Sequence, residues 1–266
     1  MKRVYLLCSC LALLAILLSA CAPQATPTVV PTEPPATQAP TEAPATEAAV
    51  TPTETLVPIN LAGPEMAVGS KFQYVDGSTL VAVPGGTSLM GRGGGTDNPE
   101  HEVTLSDFWI YRTEVTNQQY AYCVAQGECS APDLNDNPAY TVPERVGDPV
   151  TGVTWDQSQA YCEFVHGRLP TEAEWEKTAS WDPVNNVKNI YPWGDGAPTC
   201  ALTNFNNCVG KSTIVNQYPE GQSVYEALDM AGNSYEWVAD WYDPFYYRNG
   251  AAEDPAGPEA GERRSI

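Results

Sequence analysis

Short apolar runs between residues 80 and 111 predict β-strands. Residues 80–83 (Leu-Val-Ala-Val) precede Pro84-Gly85-Gly86, so we expect a strand and a turn, with residues 87–90 returning as its partner. Val103, Leu105 and residues 108–111 (Phe-Trp-Ile-Tyr) predict the next strand, which should be half-buried.

Helices are predicted at three places where a Thr is followed three residues later by Gln or Glu, the pattern of a capping box. Behind the second box, apolar positions recur with the spacing of one buried helix face. Between residues 180 and 221, Gly, Asn and Pro are frequent, so regular structure should be sparse. The fold class is therefore α+β, with few short strands, three short helices and many loops. The box residues are Thr116 to Gln119, Thr154 to Gln157 and Thr171 to Glu174, and the helix faces contain Ser158, Tyr161, Cys162, Val165, Trp175 and Ala179.

Residues 227–244 place acids and an amide among large aromatic side chains. Asp229, Asn233, Glu236 and Asp240 alternate with residues that should be buried, and an unpaired charge is costly away from water. An oxygen-preferring cation such as calcium would compensate these charges. The alternative is a core helix that is capped by Asp229 or Asn233 and keeps its acids in solvent.

The N-terminus has the pattern of an export signal. Lys2 and Arg3 precede an apolar run over residues 4–18 that is short for a membrane span. The run ends in Leu-Ser-Ala-Cys, which resembles a bacterial lipobox, so we expect a signal peptide at 1–20 and a lipidated Cys21. An ordinary secretory signal that leaves Cys21 as a spare thiol is the alternative. Either interpretation places the mature protein outside the cytoplasm, and the lipobox predicts a lipid-anchored protein of the cell envelope.

Residues 21–60 predict a disordered linker. They are rich in Pro, Thr and Ala and contain no Lys or Arg, so they cannot bury enough apolar surface to offset the entropy of ordering. Repeated Pro favours polyproline II at about 3.1 Å per residue, a reach on the order of 100 Å. The folded domain should then occupy residues 75–266.

The net charge of -20 disfavours a nucleic-acid partner, because such proteins need a basic surface for the phosphates. The cysteines suit an oxidising compartment. Cys123 and Cys129 lie close in sequence, as do Cys200 and Cys208, so we expect two local disulfides. Cys162 should be buried and unpaired. The alternative is a functional role as a nucleophile or a copper ligand. Two histidines and no Cys-x-x-C make a zinc site improbable.

Several stretches resemble, in family order, the formylglycine-generating enzyme or sulfatase-modifying factor domain. The resemblance covers nearly all of residues 75–266 and implies a loop-rich variant of the C-type-lectin fold. The matching pieces are residues 81–86 (V-A-V-P-G-G), 108–120 (F-W-I-Y-R-T-E-V-T-N-Q-Q-Y), 149–155 (P-V-T-G-V-T-W), 167–177 (G-R-L-P-T-E-A-E-W-E-K), 191–195 (Y-P-W-G-D) and 229–241 (D-M-A-G-N-S-Y-E-W-V-A-D-W).

The resemblance implies calcium as a structural cofactor. By position, the ligands of one ion are Asp229, the backbone at Gly232 and Ser234, and Glu236. A second ion would be held by Asn204 and the backbone of Phe205, with its other ligands in a part that is shortened here.

Family enzymes oxidise a cysteine of a client sulfatase to formylglycine with oxygen and copper, which a cysteine pair holds. In the family, that pair lies downstream of a segment that contains two arginines, which corresponds to Arg263-Arg264 here. The sequence stops at Ile266, so the positions of the pair are absent from it. We therefore expect an incomplete domain of marginal stability that is inactive as an oxidase in this form. Three hypotheses remain: a copper-dependent oxidase in a full-length parent, a lectin-like module that binds a peptide, glycan or client protein, and a structural protein of the envelope. In each, the lipid would link the chain to the membrane.

Overall fold

A computed structural model describes residues 66–95 and 97–266, so the expected signal peptide, Cys21 and linker lie outside the described residues. Seven short strands form three antiparallel sheets. β2 is the centre of the largest sheet, whose order is β1-β2-β5. β3 pairs with β4, and β6 pairs with β7. The strands are β1 (Lys71–Gln73), β2 (Thr79–Val83), β3 (Gly86–Met90), β4 (His101–Leu105), β5 (Phe108–Tyr111), β6 (Trp181–Asp182) and β7 (Val187–Lys188).

The predicted hairpin between residues 80–83 and 87–90 is wrong. β1 and β5 occupy both sides of β2, and β3 pairs with β4 from Gly86↔Leu105 to Met90↔His101. The chain turns away at Gly86, whose φ of +109° favours glycine. The strand expected from Val103 to Tyr111 is likewise two strands, β4 and β5, in different sheets.

The three predicted helices are confirmed, each with a complete capping box. In each, the N-cap Thr hydroxyl accepts from the backbone three residues later, and that residue's side chain accepts from the Thr backbone at 2.8 Å. The prediction missed a fourth helix of one turn and two 3-10 turns. The helices are α1 (Asn117–Gln126), α2 (Trp155–Phe164), α3 (Glu172–Ser180) and α4 (Tyr246–Asn249), and the 3-10 turns are Pro143–Arg145 and Pro219–Gly221.

Buried residues of β2 and the helices form the core. Val81 packs with Ala179 of α3 and with Met230, while Tyr120 of α1 stacks on Tyr161 of α2 at 5.8 Å. The two expected disulfides, Cys123–Cys129 and Cys200–Cys208, are present. Among the residues that the structure covers, no helix is both long and apolar enough to cross a membrane.

Two tryptophans join the start of α2 to the segment after residue 236. Trp155 Nε1 donates to the carbonyl oxygen of Val238 at 2.7 Å, and Trp237 Nε1 donates back to that of Val153 at 3.0 Å. Beside this seam, the Arg264 guanidinium lies 3.5 Å from the ring centroids of both Trp155 and Trp241. This cation–π arrangement fixes residues near the C-terminus against the same segment.

Candidate ligand cavity and acidic cluster

The segment rich in acids and aromatics, residues 229–241, is irregular rather than helical, so the interpretation as a core helix is wrong. Asp229 and Asn233 have φ angles of +62° and +66°, which Asp and Asn tolerate better than most residues. Gly232 is required by close packing, because a Cβ there would lie 2.6 Å from the carbonyl oxygen of Asn204. Asn233 N donates to the same oxygen at 2.9 Å. The local backbone therefore turns the acids inward.

Three carboxyl groups, Glu114, Asp229 and Glu236, form what we call the acidic cluster. Asp229 Oδ2 accepts from the backbone of Asn216 at 3.0 Å, and Glu114 Oε1 accepts from Asn233 Nδ2 at 3.1 Å. Glu236 Oε2 accepts from Trp175 Nε1 at 2.8 Å. Asp229 Oδ1 and Glu114 Oε2 are buried and have no hydrogen-bond partner. The cluster thus contains acceptor oxygens that the described residues leave unsatisfied.

Burial and mutual repulsion shift the pKa values of the acidic cluster upward. Burial raises the pKa of Glu114 well above its usual range, and the charges of Asp229 and Glu236 raise it further. Burial also raises the pKa of Asp229. For Glu236, burial raises the pKa to about 7 although the Trp175 hydrogen bond opposes the shift. A bound cation would reverse these shifts, because it favours the charged form.

The acidic cluster fits a cation in charge and in unsatisfied oxygens. Within residues 66–95 and 97–266, however, no group of three or more His, Cys, Asp or Glu side chains has the arrangement of a metal site. An ion at Asp229 and Glu236 would therefore take further ligands from backbone carbonyls and water, as calcium commonly does. The implied carbonyls at Gly232 and Ser234 lie in this turn, and the Gly232 oxygen already accepts from Ser234 N at 2.9 Å.

Asn204 and Phe205, expected at a second calcium ion, take part in holding the same region together. Asn204 Nδ2 donates to the carbonyl oxygen of Lys211 at 2.8 Å, and its own carbonyl accepts from Asn233. The Phe205 carbonyl accepts from Cys208 N at 2.9 Å. These bonds account for a structural role of both residues, and the second ion stays a prediction.

A cavity of about 460 Å³ lies beside the acidic cluster, between β5, α2 and residues 228–237. Its charged lining consists of Glu114, Glu174, Glu236 and Arg168. Arg168 is engaged, since its two terminal nitrogens bond the two oxygens of Glu174 at 2.6 and 2.7 Å. Glu114 and Glu236 have no such basic partner within residues 66–95 and 97–266. The aromatic walls include Phe72, Trp109, Tyr111, Tyr161, Trp175 and Trp237.

Asp76 fixes two of the aromatic walls. Its Oδ2 accepts from the hydroxyls of both Tyr111 and Tyr161 at 2.7 Å, while Oδ1 accepts from the backbone and the hydroxyl of Ser78 at 3.0 and 2.6 Å. Burial alone would raise the pKa of Asp76, but these hydrogen bonds outweigh burial and lower it. β5 and α2 are thereby joined through one ionised carboxylate.

Cys162 lines the cavity and is unpaired as expected, but it is half-buried rather than buried. Burial, followed by the charges of Glu163 and Asp76, raises the pKa of its thiol to about 12. It is therefore a thiol at neutral pH, which opposes the nucleophile alternative. Sequence reasoning missed Glu114 and Asp76. Glu114 did carry a signal, because it is a single acid three residues after the end of the apolar run of β5.

Residues 67–264 match the family described as the sulfatase-modifying factor enzyme 1-like domain. The chain belongs to this family. The loop-rich architecture with few short strands and helices agrees with that assignment, as does the similarity in sequence to formylglycine-generating enzymes.

Individual relatives of this sulfatase-modifying factor-like domain have different names. Hercynine oxygenase from Mycolicibacterium smegmatis is 30% identical over 226 residues, covering 71% of this chain and 53% of the relative. Formylglycine-generating enzyme from Streptomyces coelicolor is 28% identical over 242 residues, covering 70% of this chain and 76% of the relative. The chain spans about half of the length of two of the hercynine oxygenases that it matches, 53% of the one from Mycolicibacterium smegmatis and 45% of the one from Mycolicibacterium thermoresistibile.

Among solved structures, PvdO from Pseudomonas aeruginosa superimposes with a TM-score of 0.56 at 24% sequence identity. The alignment covers 74% of this chain and 84% of the PvdO chain. At this identity the likeness describes the fold alone.

Proposed function

We propose that this domain is a binding module that takes a ligand with an apolar body and a positively charged group. The aromatic cavity carries the proposal, because its walls match an apolar body and no Lys or Arg of the described residues forms an ion pair with Glu114 or Glu236. A largely apolar pocket with a few convergent polar groups is the usual form of a ligand site.

The cysteines of the described part of the chain do not assign an oxidative chemistry to this site. Four of its five cysteines form disulfides, and the fifth, Cys162, lies alone with a raised pKa. A copper-holding cysteine pair, as the family resemblance implies for oxidases, does not fit these residues. We therefore derive no oxidative step from them.

Two small molecules of matched size and opposite charge test the proposed function. We expect phenethylamine to bind and to change the tryptophan fluorescence, because Trp109, Trp175 and Trp237 line the cavity. Both ligands are measured in calcium buffer, because a bound cation keeps Glu114 and Glu236 ionised. We expect 3-phenylpropionate to bind at least tenfold more weakly, since it would add a negative charge beside these carboxylates. Equal binding of the two, or binding of neither, would show the proposal to be wrong.

Calcium is the proposed structural cofactor, held by Asp229, Glu236 and the carbonyls of Gly232 and Ser234. The unpartnered Asp229 Oδ1 supports this ligand set, because a cation would satisfy it. The ion would supply charge neutralisation and allow both carboxylates to stay ionised. Chelation should lower the melting temperature by several degrees and calcium should restore it, whereas Asp229→Asn should remove the response. An unchanged melting curve on adding calcium to the stripped protein would contradict the site.

We further propose that Cys21 carries lipid and that residues 21–60 form a linker between the membrane and the domain. The Leu-Ser-Ala-Cys sequence at 18–21 supports this placement in the cell envelope. Labelling with radioactive palmitate in bacteria should mark the wild type and not Cys21→Ser. Equal labelling of both proteins, or of neither, would refute lipidation at Cys21.

Oxidation of a protein cysteine to formylglycine is a second candidate, favoured by the similarity to the Streptomyces coelicolor enzyme over 76% of that enzyme's length. The test is co-expression with a sulfatase-derived peptide, followed by mass spectrometry of its cysteine. Formylglycine above the level of cells without this protein would support the candidate. Unmodified cysteine in the presence of copper and oxygen would leave the binding module as the better account.

A further inference from the structure

The Cys200–Cys208 disulfide closes a segment without regular secondary structure. Residues 199–211, which we call the disulfide loop, contain neither helix nor strand, and the bond spans eight positions. Asn206 and Asn207 have φ angles of +41° and +66°, a region that L-residues seldom adopt. The conformation of this loop therefore depends on its cross-link and on its contacts with neighbouring segments.

The disulfide loop packs against the turn that contains the proposed calcium ligands, residues 229–236. The Asn204 carbonyl oxygen accepts from Asn233 N at 2.9 Å. Gly232 lies so close that a Cβ there would be 2.6 Å from the same Asn204 oxygen and would also meet the Thr203 hydroxyl. Both Thr203 and Asn204 are buried in this contact region. The loop thus forms one wall of the turn.

Asn233 links the disulfide loop to the acidic cluster. Its Nδ2 donates to Glu114 Oε1 at 3.1 Å, and its Oδ1 accepts from the backbone and the hydroxyl of Thr213 at 2.8 and 3.1 Å. In the sequence it lies between Gly232 and Ser234, whose carbonyls belong to the proposed ligand set. A displacement of the loop would therefore move the carbonyl ligands and the Glu114 contact together.

The two disulfides of the described residues differ in their exposure to solvent. Cys123 and Cys129 are both buried, whereas Cys200 is exposed and Cys208 is half-buried. Thiol–disulfide exchange requires a thiolate to reach one sulfur atom, so an exposed disulfide is reduced more easily. Among the described residues, the disulfide loop forms no hydrogen bond with residues 240–266. Its contacts with the turn therefore do not involve the last part of the sequence.

We propose that the Cys200–Cys208 disulfide is a redox switch that controls how tightly the domain holds calcium. This inference rests on the proposed calcium site. A dithiol reductant supplies two electrons and two protons, so that the S–S bond breaks, both cysteines become thiols and the dithiol becomes a disulfide. The opened loop would hold Asn204 less firmly against Asn233, and the turn would lose its fixed arrangement around the ion.

Loop entropy limits the size of this effect. In the chain-entropy account, breaking a cross-link over eight positions favours the open loop by a factor of roughly 60. The buried contacts of Thr203 and Asn204 oppose opening, so we expect the calcium affinity to fall by less than this limit, about tenfold. A tenfold change corresponds to a coupling free energy of about 1.4 kcal/mol, which is usual between two coupled sites.

The coupling must act in both directions. If reduction weakens calcium binding about tenfold, saturating calcium must shift the equilibrium of the Cys200–Cys208 pair toward the disulfide by the same factor. The Cys123–Cys129 bond lies between α1 and the segment after it and has no contact with the turn, so calcium should leave its equilibrium unchanged.

Calorimetric titration with calcium tests the switch. The full chain is stripped with chelator, dialysed and measured in its oxidised form, after mild reduction with dithiothreitol, and as Cys200→Ser/Cys208→Ser. We expect the Kd to be about tenfold higher after reduction of the wild type, and the double variant to have this higher Kd with or without reductant. The wild-type comparison is decisive even if the double variant does not fold.

The titration separates this inference from the proposed calcium site. An equal Kd for oxidised and reduced wild type would overturn the switch and leave the calcium site intact. Absence of calcium binding in the oxidised protein would overturn both.

Alkylation followed by mass spectrometry identifies the disulfide that responds. After mild reduction, iodoacetamide should label Cys200 and Cys208 and spare Cys123 and Cys129. In a glutathione buffer, saturating calcium should lower the ratio of reduced to oxidised Cys200–Cys208 about tenfold in the wild type and leave it unchanged in Asp229→Asn. Equal reduction of both disulfides, a ratio that calcium does not change, or a shift that persists in Asp229→Asn would overturn the proposed coupling.

Discussion

Replacing Asp76 by Asn should destabilise the protein by about 3 kcal/mol at neutral pH. The carboxylate accepts from the hydroxyls of Tyr111 and Tyr161 and twice from Ser78. A hydrogen bond to a charged group contributes about 1.5–3 kcal/mol, so the two tyrosine bonds set a lower limit of about 3 kcal/mol if both are lost. Asn has one acceptor oxygen, so it can keep either the two tyrosine bonds at the Oδ2 position or the two Ser78 bonds at the Oδ1 position and loses the other two. The lower limit is therefore the expected value.

The same substitution has a defined pH dependence. The pKa of Asp76 is lowered in the folded state from an ordinary value of 3.8. A depressed carboxyl pKa contributes stability that is present above the unfolded value and is lost as the pH falls through the folded value. The difference between wild type and Asp76→Asn should thus be complete near pH 7 and shrink below about pH 4.

Urea unfolding, followed by tryptophan fluorescence, measures both effects. Asp136→Asn is the matched control, because Asp136 is exposed. A double-mutant cycle of Asp76→Asn with Tyr161→Phe should give a coupling energy of about 1.5 kcal/mol, the value of one such bond. A loss below about 1 kcal/mol for Asp76→Asn, or the same loss at pH 7 and pH 3, would refute the assigned role of the carboxylate.

Three further substitutions test other contacts of the domain. Gly232→Ala should cost about 2 kcal/mol in urea unfolding, because its Cβ would lie 2.6 Å from the Asn204 carbonyl oxygen. In the wild type without calcium, the pKa of Glu236 is raised from 4.5 to about 7, so its protonated form stabilises the folded state and this stability is lost as the pH rises through 7. Glu236→Gln resembles the protonated form at every pH. In chelator, this variant should therefore be more stable than the wild type by about 3 kcal/mol at pH 8 and equally stable below about pH 4.5. Arg264→Met should lower stability by about 2 kcal/mol through lost contacts with two tryptophan rings, and Arg264→Lys by less, as thermal melts would show.

Local features of this fold could be predicted from the sequence because local contacts decide them. Each capping box spans four residues, so the sequence near Thr116, Thr154 and Thr171 contains both partners of the motif. The disulfides close loops with separations of only six and eight residues. The acids of residues 229–236 could also be identified as candidate site residues, because large apolar residues surround them in the sequence.

Non-local contacts explain what could not be predicted. The sequence predicted that β2 pairs with the nearest apolar run. In the fold, β2 pairs instead with β5, which begins at Phe108, 25 positions after Val83 at the end of β2. Glu114 joins Asp229 and Glu236 only in the folded chain, more than 100 positions apart. Asp76 gave no signal, because its tyrosine partners belong to a strand and a helix that meet only in the fold.

The two indole hydrogen bonds between residues 153–155 and 237–238 couple the hydrogen exchange of the Trp155 and Trp237 indole N–H groups. Trp155 donates to Val238 and Trp237 donates to Val153, so separation of the two segments breaks both bonds at once. The two indole protons should therefore exchange with deuterium at one common rate set by that opening, provided that reclosing is faster than exchange. Trp175, whose indole binds the carboxylate of Glu236 instead, should exchange at a rate that changes with the protonation of that carboxylate.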